Sequence, residues 1–137
     1  MSSTETEALR ASAQEILWHA VAGREAAERT YCKASDAAEE WRHRASDAEV
    51  RALAACHAEA ALLGGAGSGS LTKATRDAEA WDRRSARWAK RAAQAEQAEQ
   101  AARRNVAAAR RAERVAHLEV AAMARLPDGA RTARCPS

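Results

Sequence analysis

Phenylalanine is absent from this chain, tyrosine occurs once, and leucine, isoleucine and valine together supply only 14 of the 137 residues. A thick core of large interlocking side chains is thereby excluded. Both prolines, Pro127 and Pro136, lie near the C-terminus, so nothing before position 127 obliges a helix to break. Glycine is equally confined: apart from Gly23 and Gly129, every glycine lies between Gly64 and Gly69. No run approaches the roughly 20 apolar residues that cross a bilayer. The opening Met1-Ser2-Ser3-Thr4-Glu5-Thr6-Glu7 is acidic where a secretory leader is basic, so a cytoplasmic protein with no membrane attachment is expected. The cysteines, Cys32, Cys56 and Cys135, are odd in number and lack CxxC spacing, which excludes a paired disulfide framework and a zinc ribbon. Within a helix the default role for Cys32 and Cys56 is that of a small buried hydrophobe, whereas Cys135 belongs to an exposed tail.

What is present is alanine, 40 residues of it, with arginine, glutamate, glutamine and lysine in most of the remaining positions. These are the strongest intrinsic helix formers, and they disfavour strand. The expected fold is all-α: two long helices forming an antiparallel alanine-rich coiled-coil hairpin. Its single domain spans residues 1–126, with a helix over about 4–63, a glycine-serine turn over 64–70 and a helix over about 71–126. Residues 127–137 form a flexible C-terminal tail. The hydroxyls of Ser3 and Thr4, followed by Glu5 and Glu7, mark the first start, and Pro127-Asp128-Gly129 marks the last stop.

A seven-residue repeat supports this reading. In the second helix Ala74, Trp81, Trp88, Ala95, Ala102, Ala109, Ala116 and Met123 share one register. Leu71, Ala78, Ser85, Ala92, Val106 and Val120 occupy its companion, which Glu99 and Glu113 interrupt. The first helix reads Leu9, Ala13, Ile16, Ala20, Gly23, Ala27, Thr30, Ala34, Ala37, Trp41, then Ala45, Ala48, Ala52, Ala55 and Leu62, with a four-residue stutter after Trp41. A fold-back about residue 67 sets Trp41, Trp81 and Trp88 against alanines as a packing seam, and Trp18 against Ala116. Residues 1–70 carry seven basic and eleven acidic side chains, and residues 71–137 carry fifteen and eight, which favours antiparallel pairing of the two arms. One alanine seam is thin burial for a domain of this size, and alanines also occupy outer positions. A second hairpin is therefore expected to complete a four-helix bundle.

Three constellations could carry chemistry. Arg76, Arg83, Lys90, Arg104, Arg111 and Arg125 recur at multiples of seven along the outer line of the second helix, joined by Arg84, Arg91, Arg103, Arg110 and Arg114, a pattern suited to a nucleic-acid backbone or another polyanion. Glu15 with His19 and Glu113 with His117 place a carboxylate and an imidazole one turn apart near the open end of the hairpin, donors suited to zinc or iron. Either pair is also an ordinary surface couple. The tryptophans could line a ligand slot, but core filling explains their register better. Neither a phosphate-cradling glycine loop nor a nucleophile with its base is present, so no enzymatic activity and no cofactor are expected. The leading expectation is a non-enzymatic coiled-coil protein-protein interaction module. Its expected partners are a second copy, as a homodimer, and an unidentified protein. Polyanion binding is the alternative, and a metal-binding bundle comes third.

Overall fold

The computed structural model describes residues 2–65 and 69–127, and it is all-helical: α1 runs Ser3–Leu63 and α2 runs Leu71–Ala124. Helix α1 opens on a capping box. The Ser2 hydroxyl accepts from the Glu5 backbone N–H (3.2 Å), while the Glu5 carboxylate accepts from the Ser2 N–H (3.1 Å). The cap thus sits one residue before the expected Ser3 or Thr4. At its far end Gly65 has a φ of 74°, the left-handed conformation that lets its N–H reach the Leu62 carbonyl (3.1 Å). Ser70 caps α2 through the Lys73 N–H (3.3 Å). Helix α2 ends at Ala124, two residues before the expected Leu126, because Pro127 disfavours helical backbone at the residue before it. The Arg10 side chain then donates to the freed carbonyls of Met123 (3.1 Å) and Leu126 (2.8 Å). Residues 66–68 of the expected turn, and residues 128–137 of the expected tail with Cys135, lie outside the described residues. Among the described residues no helix is long and apolar enough to cross a membrane.

The chain forms two compact units, residues 1–31 with 102–137, and residues 32–101. In each, α1 and α2 pack antiparallel as a helical hairpin. In the first unit the seam takes Thr6, Arg10, Ala13, Leu17, Ala20, Arg24, Ala27 and Tyr31 from α1, and Ala102, Val106, Ala109, Glu113, Ala116, Val120 and Met123 from α2, all buried or half-buried. In the second it takes Ala34, Ala38, Trp41, Ala45, Ala48, Ala52, Ala55, Glu59 and Leu62 against Ala74, Ala78, Trp81, Ser85, Trp88, Ala92, Ala95 and Glu99. Both helices keep strict alternation of three and four, the spacing of a left-handed coiled coil.

The α2 register is the expected one, but α1 departs from expectation. Leu9, Ile16, Gly23, Thr30 and Ala37 are exposed, and the seam positions are their successors Arg10, Leu17, Arg24, Tyr31 and Ala38. The stutter after Trp41 is absent. Continuing an unbroken 3-4 repeat back from Trp41 avoids local unwinding of the supercoil. It brings polar residues inward, but Arg10, Arg24 and Tyr31 are long enough to lay their stems in the seam and place their polar ends on partners across it. Trp18 moves to the outside with this register, 66% exposed, and does not meet Ala116. Cys32 and Cys56 are also exposed rather than buried, because both lie off the seam positions.

Candidate functional site

The seam of the first unit contains an ionic cluster built from both helices. Arg24, at an inner heptad position, hydrogen-bonds Glu113 across the seam and Glu28 one turn on (3.1 Å), and Arg110 closes on Glu28 from α2 (3.3 Å). Glu113 is only 17% exposed, so the acid that interrupts the α2 repeat is held inside by a cation from α1. The hydrogen bond to Glu113 holds the Arg24 guanidinium above its ordinary range, against the opposing effect of partial burial. At Glu28 desolvation pushes the carboxyl up, but the hydrogen bonds from Arg110 and Arg24 outweigh it and hold the group below its ordinary 4.5. A depressed carboxyl contributes stability that is present above its unfolded pKa and disappears as pH falls through the folded value. Glu28→Gln is therefore expected to lower the melting temperature at neutral pH and to flatten the acid limb between about pH 5 and pH 3. Acid limbs of equal steepness in thermal melts would show that these bonds do not hold in solution.

The two flanks of this unit differ. One carries the Arg110–Glu28 pair, together with Arg103 against Tyr31. The other presents Leu9, Ile16 and Gly23 from α1 beside Ala108, Ala112 and Val115 from α2, all exposed. Among the described residues, Glu5, His19 and Glu119 are the titratable side chains on it. A methyl group added at Gly23 would meet nothing within 4 Å.

In the second unit the tryptophans Trp41, Trp81 and Trp88 occupy seam positions as expected, each half-buried. The outer faces of Trp41 and Trp81 are not bare. Arg44 and Arg91 both lie over the Trp41 ring, at 5.0 and 5.2 Å from its centre, and Arg51 and Arg84 both lie over Trp81, at 5.2 and 4.6 Å. Each ring thus holds one guanidinium from α1 and one from α2. On the opposite flank Arg42 pairs with Glu96 (3.5 Å). There, small residues Ala45, Ser85, Ala89 and Ala92 leave an open groove bordered by Glu49 and Asp82, with a volume near 620 Å³.

The expected polyanion residues Arg76, Arg83 and Lys90 in this unit, and Arg104 and Arg111 in the other, are exposed. Of the expected metal pairs, Glu15 with His19 is a solvated couple at 3.8 Å, whereas Glu113, 3.7 Å from His117, is held in the seam. Heptad position puts His19 and His117 on opposite flanks, and Glu113 is engaged by Arg24. Among the described residues no three His, Cys, Asp or Glu side chains come together. Of the four arginines over the rings, Arg84 and Arg91 join the expected basic stripe of α2, whereas Arg44 and Arg51 were not among the expected site residues. The Trp-x-x-Arg spacing at Trp41 and Trp81 puts Arg44 and Arg84 on the same helix face as their rings, and Arg51 and Arg91 each reach a ring on the other helix.

Comparison of the chain with protein-family models, with curated proteins and with solved structures finds no match.

Proposed function

We propose that this chain is a non-enzymatic coiled-coil interaction module that pairs with a second copy of itself through the uncharged flank of the first unit. The observation that carries this reading is the exposure of Leu9, Ile16 and Val115 beside Gly23, Ala108 and Ala112, with only three charged groups on that flank. A symmetric dimer brings the same surface to both sides of its interface, so a charge on it is answered only where that surface also carries the opposite charge at the facing position. A nearly neutral flank of small and branched residues suits an identical partner for that reason, and it suits close helix packing. The need for further burial is equally plain: eight of the ten buried apolar residues described are alanines. Such a seam removes little apolar area from water per residue.

Sedimentation velocity at micromolar concentration is expected to show a dimer for the native chain, and a folded monomer for Ile16→Glu with Val115→Glu. Ile16 is 50% exposed, so the introduced carboxylates are solvated within one hairpin and become costly only inside an interface. A native monomer that melts cooperatively would overturn the dimer. A dimer that survives both substitutions would place the interface elsewhere.

A further inference from the structure

We infer that the four ring-stacked arginines of the second unit, Arg44, Arg51, Arg84 and Arg91, form a binding site for the phosphate backbone of double-stranded nucleic acid. Each guanidinium lies within the roughly 6 Å of a ring centre at which cation-π attraction operates. An arginine laid flat on a ring keeps its N–H edge for solvent or an anion, and it loses less conformational freedom on binding than an arginine free in water. The arrangement is one of pairs. Because Arg44 and Arg91 share Trp41, and Arg51 and Arg84 share Trp81, the two cations of a pair lie no farther apart than the sum of their distances to the common ring. The pairs themselves are two helical turns apart, since Arg44 precedes Arg51, and Arg84 precedes Arg91, by seven residues. At 1.5 Å per residue that is about 10 Å. This spacing is comparable to the roughly 12 Å width of a major groove, so one pair can meet each phosphate strand bordering it.

The charge balance of the cluster favours an anion from outside. Arg44 has Glu40 at 2.6 Å and Arg51 has Asp47 at 3.1 Å, both ordinary i,i+4 couples with carboxylates about 60% exposed. Exposed couples of that kind are weak and leave their remaining N–H groups available. Arg84 and Arg91 have rings rather than carboxylates as partners. Asp77, one turn before Trp81, is the further acid on this flank.

The rings also decide between single and double strands. Proteins that hold single strands stack bases on open aromatic faces. Here two arginines already lie over each of Trp41 and Trp81, so these rings present cations rather than open faces for bases. The opposite flank, with Glu49, Asp82 and Glu96 along its groove, repels the same ligand.

Fluorescence anisotropy with a labelled 20-base-pair duplex tests the site. Four phosphate contacts give a slope of about −3.6 for log K against log salt, an affinity loss of about 10²-fold between 50 and 200 mM. R84Q/R91Q is expected to reduce the slope to about half of that. R84K/R91K keeps the charge but loses the flat stacking and the fork, so it is expected to keep the slope while binding about three- to tenfold more weakly. R76Q/R83Q removes the same charge from the outer stripe and is expected to leave the slope unchanged. Circular dichroism of each variant, expected to match the native helical spectrum, is the control for folding. An equal effect of R76Q/R83Q and R84Q/R91Q would overturn the inference, because binding would then follow diffuse charge. So would the absence of binding at 50 mM salt. Tighter binding of a single strand with quenched tryptophan emission would also sink it, since the rings would have to be uncovered.

Discussion

Replacing Trp88 with alanine is expected to lower stability by about 3 kcal/mol in chemical denaturation, and Ala48→Leu by about 1 to 3, whereas the two together are expected to recover at least about 0.5 kcal/mol relative to their sum. Ala48 is 0% exposed on the seam of the second unit, so a longer side chain there has no route to solvent. The level of Trp88 follows from its surroundings. Arg42, Ala45, Ser46 and Glu49 share a groove with Ser85, Ala86, Ala89 and Ala92, which sets the Ala45–Glu49 stretch of α1 against the turns of α2 that carry Trp88. A single large ring among alanines fills the space that several medium residues fill in an ordinary core. Removing it leaves a void that a backbone held by long helices cannot close. Overpacking at Ala48 and the cavity at Trp88 draw on one volume, so their effects oppose each other. Strictly additive losses would separate the two residues and remove Trp88 from this hairpin seam.

Much of this architecture was legible before any coordinates, because alanine content, the position of Pro127 and the Gly64–Ser70 cluster leave few alternatives to two antiparallel helices. The α2 seam was legible too, since Trp81, Trp88, Ala95, Ala102 and Val106 allow only one heptad frame. The companion register of α1 was not. Apolarity favours Leu9 and Ile16 over Arg10 and Arg24, and a residue-by-residue reading prefers them even at the cost of a stutter. The seam instead keeps an unbroken repeat and admits Arg10, Arg24 and Tyr31, whose polar ends meet groups distant in sequence: the carbonyls of Met123 and Leu126, the carboxylate of Glu113 and the side chain of Arg103. Such compensation is invisible in a window of one helix. The same misplacement hides the nearly neutral flank of the first unit, because Leu9, Ile16 and Gly23, its α1 members, fall in the expected seam. The arginine site was missed for a different reason. Charge periodicity on α2 alone selects the outermost line of Arg76, Arg83 and Lys90, whereas the ring-stacked array draws half of its members from the acidic helix α1.

Glu99→Leu is expected to stabilise the protein by about 1 to 2 kcal/mol, raising the melting temperature by about 3 to 8 °C. This is the reverse of what most substitutions do, and the reason lies in a comparison of two glutamates at the same heptad position. Glu113 and Glu99 both replace an apolar residue in the companion register of α2, and both are drawn partly inside. Glu113 meets Arg24 across its seam, and its other oxygen reaches His117. Among the described residues Glu99 meets no such cation, and its Oε2 is buried without a hydrogen-bond partner. A buried acceptor left unpaired costs about 1 to 3 kcal/mol, and an apolar residue of similar volume removes that cost while adding apolar burial between Ala92 and Val106 of the same register. Glu113→Leu is accordingly expected to act in the opposite direction, since it leaves the half-buried Arg24 with Glu28 alone. Urea denaturation of the two single variants separates the cases. A loss of stability in Glu99→Leu equal to that in Glu113→Leu would mean that Glu99 has a partner in solution, and would leave the two acids equivalent as paired members of the seam.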